Sequence, residues 1–365
     1  MSIFSKAKVK SLYTKNERYL FPVALLFGFI VDNFTLTRVD LWFNNLILFS
    51  YIFLAGFGII VLNLYESGRL RKGIVGRISH LAPFVVQYSF GNLFSGFFVF
   101  YSRSSTLVGN WPFLLLLLVL LFGNEFFKKR YLRFDFQMSV FFIALFSYSI
   151  CYTPILLEEL SERVFLLSGV ISLIIVTLFI FFSSLFIPKL VSKGRKLLIG
   201  SIGGLYVIIN IFYFTNIIPP IPLSLKNEGV YHLVEKNKEG NYLVKDEEKS
   251  WYESLKDYKN EFHHVSGEPI YFYSAVFSPT DLNIKIYHSW QYYDEGKGEW
   301  VESFQKGYEI VGGRDGGYRG YTMKEDILPG RWRVDVMTER KQLLGRYNFV
   351  VIDVQTPFVL ETKVF

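Results

Sequence analysis

The sequence predicts a membrane α-helical bundle of about seven transmembrane helices, followed by a C-terminal all-β, immunoglobulin-like antiparallel sandwich. Three observations predict it. Apolar blocks of about 20 residues, the length that crosses a hydrocarbon core, recur up to about Leu225 and then stop. Basic residues fall almost entirely into every second gap between those blocks. From Glu268 onward apolar residues return at every second position, the period of a half-buried strand.

Composition agrees with this division. Of the 365 residues 51% are hydrophobic, including 38 Phe and 24 Tyr, and only 19% are charged, below the roughly 25% of soluble domains. From Lys226 to Phe365 there are 19 Lys and Arg against 23 Asp and Glu, a net of −4; residues 1–225 hold 20 against 9. The overall charge of +7 therefore belongs to the apolar half. It is not the basic stripe on a soluble domain that nucleic-acid binding requires, so no nucleic-acid partner is expected. The single cysteine, Cys151, lies in an apolar block and excludes an internal disulfide. The polar half, at about 140 residues, is long enough to hold together by its own core.

Seven blocks qualify as spans: 19–37, 41–65, 79–101, 108–127, 136–157, 164–187 and 197–217. Trp111 to Phe122, with its leucine run, and Phe165 to Phe186 are the cleanest. The first block contains Pro22 and ends in Asp32-Asn33-Phe34-Thr35, with none of the small residues of a signal-peptidase site, so it reads as an uncleaved anchor. The tail 1–18 carries five basic residues. The second, fourth and sixth connections carry four each, for 17 in all, and the first, third and fifth hold only Arg38, Arg103 and Arg163. The positive-inside rule then predicts a cytoplasmic N-terminus, a plasma (inner) membrane location and a C-terminal domain on the periplasmic or extracellular side.

Polar residues inside the blocks are few. Gln87, Asn92, Asn124 and Glu125 are the intramembrane candidates, since polar groups in a bilayer are costly and mark functional sites by default. Glu125 precedes Phe126-Phe127-Lys128-Lys129, which also fits an interfacial position. Gly91, Gly96, Gly200, Gly203 and Gly204 read as sites of close helix packing.

After the last span, Ile217-Ile218-Pro219-Pro220-Ile221-Pro222 reads as a stiff extended exit. It opens a mixed polar linker, 218–267, in which Trp251, Leu255, Tyr258 and Phe262 have the spacing of one short helix over Lys249–Phe262. The β-domain is expected over 268–365. There Ile284, Ile286, His288 and Trp290 alternate with polar residues, as do Trp332, Val334 and Val336, and then Tyr347, Phe349 and Val351. Asp294-Glu295-Gly296 and Pro329-Gly330 supply turns.

These residues carry a family resemblance. Tyr287-His288-Ser289-Trp290, Gly312 to Thr322 with its Arg-Gly-Tyr-Thr, Gly330-Arg331-Trp332-Arg333-Val334 and Gly345-Arg346-Tyr347-Asn348-Phe349 resemble, in that order, the domain of unknown function 2914. The resemblance covers roughly 280–352. It implies a bacterial origin and a place after transmembrane helices, and it supplies neither an activity nor catalytic residues.

The segment Gly312–Thr322 holds five glycines, two arginines and two tyrosines. Glycine permits close backbone approach, arginine grips carboxylate or phosphate and tyrosine offers a flat face. Arg314, Tyr318, Arg319 and Tyr321, with His288 and Trp290, are therefore the candidate ligand-binding residues. The bland alternative is a hairpin whose arginines pair with Asp315 and Asp335, and for His288 a hydrogen-bonded core position. His263-His264 point apart on a strand, so no metal is expected. The sequence lacks a nucleophile elbow, a phosphate loop and a zinc-protease motif, so no cofactor and no catalysis are expected. The leading expectation is a non-catalytic membrane protein whose β-domain binds an envelope polymer or protein: glycan, peptidoglycan, lipid headgroup or membrane partner. The runner-up is a membrane-embedded transporter or a lipid- or glycan-modifying enzyme, with the β-domain as accessory lid.

Overall fold

The computed structural model describes residues 28–68, 81–104, 106–126, 133–247, 260–279, 282–311, 316–355 and 359–365. The chain forms two compact units. One is helical and extends to Thr215; the other gathers Arg103–Trp111, Leu157–Leu160 and Asn216–Phe365.

Seven helices occur among the described residues. They are α1 (described over 28–35), α2 (Trp42–Glu66), α3 (Ala82–Arg103), α4 (Leu107–Phe126), α5 (Phe134–Leu157), α6 (Glu162–Phe186) and α7 (Pro188–Phe214). Each falls on one of the seven apolar blocks. Four of them, α2, α5, α6 and α7, are long and apolar enough to cross a membrane. α3 is interrupted by Gln87, Asn92 and several Ser and Gly, which lowers its mean hydropathy.

Local chemistry sets the helix ends. Ser161 caps α6, its hydroxyl accepting from the Val164 amide at 3.4 Å, and Glu162 sits in the first turn, where a negative charge suits the helix dipole. α7 begins at Pro188 directly after α6. Proline is tolerated at the first helical position because its missing N–H has no partner there. Lys189, Lys193, Arg195 and Lys196, expected in a connection, thus lie in the opening turns of α7.

Within the helical unit most polar side chains bond their own helix: Ser168 to the Val164 carbonyl (2.8 Å), Ser172 to Ser168 (2.7 Å), Asn210 to Tyr206 (2.8 Å). Such back-bonding satisfies a polar group within its own helix. The outward faces are apolar: of the most hydrophobic windows of α6 and α7, only 33% and 22% are buried. Close helix approach uses other glycines than most of those expected. A Cβ on Gly58 would lie 2.8 Å from Val86, and one on Gly169 2.9 Å from Phe146 and Tyr206. Gly96 does face Leu48 and Leu36, but Gly200, Gly203 and Gly204 have nothing within 4 Å.

Among its described residues the second unit contains eleven strands in three sheets. β1 (Ser224–Tyr231), β5 (Ile270–Phe277) and β8 (Tyr318–Lys324) form one, in the order β1-β5-β8. β4 (Glu261–Val265), β10 (Leu343–Val354), β9 (Gly330–Thr338), β6 (Asn283–Asp294) and β7 (Glu299–Val311) form the second, in the order β4-β10-β9-β6-β7. β11 (Leu360–Val364), β3 (Tyr242–Glu247) and β2 (Leu233–Lys236) form the third. The expected alternation is realised in β6 and β9: Ile286, His288 and Trp290 are fully buried, and His288 lies opposite Val336, Trp290 opposite Val334.

There are two departures from a simple antiparallel sandwich, the first of which follows from β5. Its residues are buried on both faces. Phe272 and Val276 join the main core with Trp290, Trp332 and Phe349, while Tyr273 and Ala275 join a second core with Val234, Tyr242 and Val244. A strand apolar on both sides must be covered on both sides, so the third sheet packs as an extra layer. In addition, β4 pairs with β10 in parallel, which makes the five-stranded sheet mixed.

The stretch 218–267 is no linker. It supplies β1 to β4, and the C-terminal β11 pairs with β3. The exit is not extended either: Ile221 and Leu223 donate to the carbonyls of Pro219 and Pro220, the Ile221-Pro222 bond is cis, and Ile218, Ile221 and Leu223 are buried. Burial of these apolar side chains draws the segment into turns. The expected helix Lys249–Phe262 lies mostly outside the described residues, and at its end Phe262 belongs to β4.

Candidate functional site

The sequence candidates separate. Arg314 lies outside the described residues. Tyr318 is half-buried against the main core. Arg319 is half-buried, and its carbonyl accepts from the Tyr242 hydroxyl at 3.1 Å. Tyr321 is exposed, with its ring 6.1 Å from those of Tyr242 and Tyr271.

His288 and Trp290 face the interior. The Trp290 indole N–H donates to the Thr322 hydroxyl at 3.0 Å, and Thr322 Oγ1 is 3.0 Å from His288 Nδ1. Ser274 Oγ lies 2.8 Å from His288 Nε2 and 2.7 Å from the Tyr308 hydroxyl. Every polar atom of this chain finds a partner without water. Burial drives the His288 imidazole down to about 3, so it is neutral and joins β5, β6, β7 and β8 as a structural link. The glycines nearby have packing reasons. A Cβ on Gly320 would run into the Tyr308 ring, and Gly317, at φ +84°, lies against the backbone of Ala275 and Val276. Asp335 is bound by Arg346, at 2.6 and 2.7 Å.

Among the intramembrane candidates, Asn92 bonds the Tyr88 carbonyl one turn back (2.7 Å), and Gln87 is half-buried on α3. Asn124 and Glu125 lie in the last turns of α4. Polar contacts that join helices involve residues outside that set: Ser172 to Ser149, Ser139 to Ser201, Tyr101 to the Ser147 carbonyl, and the Asn63 amide on α2, which donates to Gln137 Oε1 on α5 at 2.6 Å, both buried. Asn63 falls near the end of one apolar block and Gln137 near the start of another, so each looks interfacial until the helices are paired.

Two concavities stand out among the described residues. In the helical unit a cavity of about 430 Å³ lies between α2, α5 and α6, walled by apolar residues such as Phe53, Gly56, Leu145 and Phe179. Neither Gln87 nor Asn92 lines it. In the β unit a polar cleft of about 210 Å³ opens where β1, β3, β4 and β10 meet, so that all three sheets contribute. Glu228 and Tyr231 come from β1, Asp246 and Glu247 from β3, Asn260 and Glu261 from the start of β4, and Tyr347 from β10.

The carboxylates of this cleft are not equivalent. Burial works to raise the Glu247 carboxyl, but the neighbouring His232 ring and the hydrogen bonds from His263 outweigh it and hold the group down at about 2. His263 donates its amide to Glu247 Oε1 at 2.7 Å and brings Nδ1 to 3.0 Å from Oε2; His232 Nε2 is 3.4 Å from Oε1. Asp246 is held by Lys363 at 2.7 Å. Glu228 is pushed up to about 7, first by burial and then by the Asp335 carboxylate, and its Oε2 is buried without a hydrogen-bond partner. A pair of carboxyl groups so separated is one form that binding and acid–base sites take. His264 turns away to the Glu268 carbonyl (2.8 Å). No group of three His, Cys, Asp or Glu among the described residues could hold a metal ion.

The signal for this cleft was present but weak. Asn237 Oδ1 accepts from the amides of Glu239 and Asn241, and Gly240 has φ +87°. Asn-Lys-Glu-Gly-Asn between Leu233-Val234 and Leu243-Val244 is thus a hairpin turn, and recognising it would have placed β2 and β3.

No curated protein matches the chain. One solved structure, the Pseudomonas fluorescens alkylpurine DNA glycosylase AlkC bound to DNA containing an abasic site analog, aligns at 12% identity over 86% of this chain and 99% of that one, with a TM-score of 0.22, too low to show a common fold. The sequence motifs in β6, β9 and β10 find their counterpart in a family. Residues 283–351, which span these strands and the cleft residue Tyr347, match the family described as Protein of unknown function (DUF2914), and the C-terminal region of the chain carries that domain.

Proposed function

We propose that this is a non-catalytic multi-pass membrane protein that presents its β-domain outside the plasma membrane and binds one unit of an envelope glycan there. All seven helices cross the bilayer in this reading, with the N-terminus in the cytoplasm, and the β-domain is an immunoglobulin-like sandwich with an added sheet. The 17-to-3 division of basic residues supports the orientation. The polar cleft carries the binding role. Carboxylates, an amide and two tyrosines converge there, the mixture of acceptors, donors and flat faces that a hydroxylated ring requires. Its volume is below the about 300 Å³ at which drug-sized pockets begin, so it admits one ring-sized unit.

The orientation is tested by replacing Cys151, which is buried, and placing a single cysteine at the exposed Lys238. A membrane-impermeant maleimide should label intact cells or spheroplasts; labelling only after lysis would reverse the topology. The binding role is tested with full-length protein in nanodiscs and soluble cell-wall glycan fragments. Absence of binding across such fragments would sink it.

A second reading rests on the cavity between α2, α5 and α6, whose apolar walls suit an acyl chain. It makes the helical unit a lipid-handling device. Lipid of one class retained through purification, and lost on Gly56→Leu, would favour it.

A further inference from the structure

Building on the cleft as a glycan site, we infer that the bound unit is an amino sugar with a free, protonated amine, which docks on the Glu228 carboxylate within the cleft shared with Tyr231 and Tyr347. The carboxylates of the cleft differ in what holds them. Asp246 is held by Lys363, and Glu247 by His232 and His263. Glu228 Oε2, by contrast, is buried without a partner among the described residues. Among the described residues no Lys, Arg or His lines the cleft. A buried carboxylate lacking a counter-charge is costly, and native folds keep such groups where a ligand, ion or water completes them.

The nearest charge makes the need specific. Asp335 adds like charge, and Arg346, which could have answered it, is committed to Asp335 in a two-point pair. The vacancy therefore calls for a donor that also brings positive charge. An ammonium does both, and a hydroxyl does only one. The tyrosine rings add a π-face for the cation. The exported half carries a net −4, so the field over the domain attracts rather than repels such a ligand. An N-acylated sugar would present a neutral amide and an extra carbonyl to the same carboxylate, and so is disfavoured.

The test uses full-length protein in nanodiscs and two probes of one backbone: the β-1,4-linked glucosamine tetramer and its fully N-acetylated counterpart. The free-amine tetramer should bind at least about tenfold more tightly, and Glu228→Gln should erase that preference. In the wild type, calorimetry at pH 5.5, where the amine is already protonated before it binds and Glu228 is still largely protonated, in buffers of different ionisation enthalpy should show proton release on binding the free-amine tetramer and none on binding the acetylated one. This measurement needs no variant, so it stands even if Glu228→Gln fails to fold. Equal or tighter binding of the acetylated tetramer, or a preference that survives in Glu228→Gln, overturns the inference and leaves glycan binding intact. Binding of neither tetramer removes the glycan reading itself. Displacement of the free-amine tetramer by trilysine at equal concentration would show that a peptide amine, not an amino sugar, is the ligand, and would also overturn it.

Discussion

The helical unit and the β unit treat polar side chains in opposite ways. On the helices a Ser or Asn typically bonds the carbonyl one turn back, as Ser168, Ser172, Asn92 and Asn210 do, and the cavity between helices is apolar. In the β unit the polar contacts run between side chains of different strands: His288 to Ser274 and Thr322, Glu247 to His263, Arg346 to Asp335. The difference follows from the backbone. A helix keeps a carbonyl one turn back within reach of a Ser or Asn side chain. The carbonyls of a sheet are taken by neighbouring strands, so side chains in the β unit pair with one another, and some are left over to build a cleft.

The largest effect that would break this comparison concerns His288. Its folded pKa of about 3 lies below the ordinary value of 6.5, so between those values the unfolded chain takes up a proton that the native chain refuses. Stability should therefore fall as pH drops from 6.5 toward 3, by about 5 kcal/mol in all at about 1.4 kcal/mol per pH unit. Hydrogen-exchange protection of β6 and β9 in the full-length protein measures it, and His288→Gln should flatten the acid limb. The pairing of Glu247 works in the same sense lower down. Its folded pKa of about 2 against an ordinary 4.5 means that the stability it supplies is present above 4.5 and lost as pH falls toward 2. If protection in the helical unit fell in parallel with that of β6 and β9, the contrast between the two units would be wrong.

A smaller effect of opposite sign is expected from Glu228. Its folded pKa of about 7 exceeds the ordinary 4.5, so the native state holds a proton that the unfolded state has released. Stability falls as pH rises from 4.5 to 7, by about 3 kcal/mol in all. Glu228→Gln should stabilise the β unit by about that amount at pH 8 and leave it unchanged at pH 4, read from protection of β1 and β5. The smallest effect belongs to the helices. Asn63→Leu removes the bond to Gln137 and should cost about 1 kcal/mol, since interhelical hydrogen bonds in bilayers contribute about 0.6 kcal/mol on average. The double variant with Gln137→Leu should recover most of it, read from thermal unfolding in detergent.

Several elements were legible from local pattern. β6 and β9 were clear because Ile286, His288 and Trp290, and Trp332, Val334 and Val336, bury one face only. β1 to β4 were not. β1 reads Ser-Leu-Lys-Asn-Glu-Gly-Val-Tyr, and its register with β5 shifts between Leu225 and Asn227, so no period of two survives in it. The Gly/Arg/Tyr segment drew attention by composition, yet its glycines serve packing, with Gly320 leaving room for Tyr308 and Gly317 lying against β5.

What the sequence determined by itself is what depends on near neighbours: the apolar blocks that become seven helices, the division of charge between the halves, and the alternating strands with their turns. Only the tertiary structure decided which carboxylates share a cleft. Glu228, Glu247, Glu261 and Tyr347 come from four strands and three sheets, joined by a parallel pairing of β4 with β10 that no local signal announces. The vacancy at Glu228 arises because Arg346 is taken by Asp335 on the neighbouring strand, where the register of β9 and β10 sets the two opposite each other. Pairing across such distances is set by which buried faces fit together, and that is a property of the whole fold.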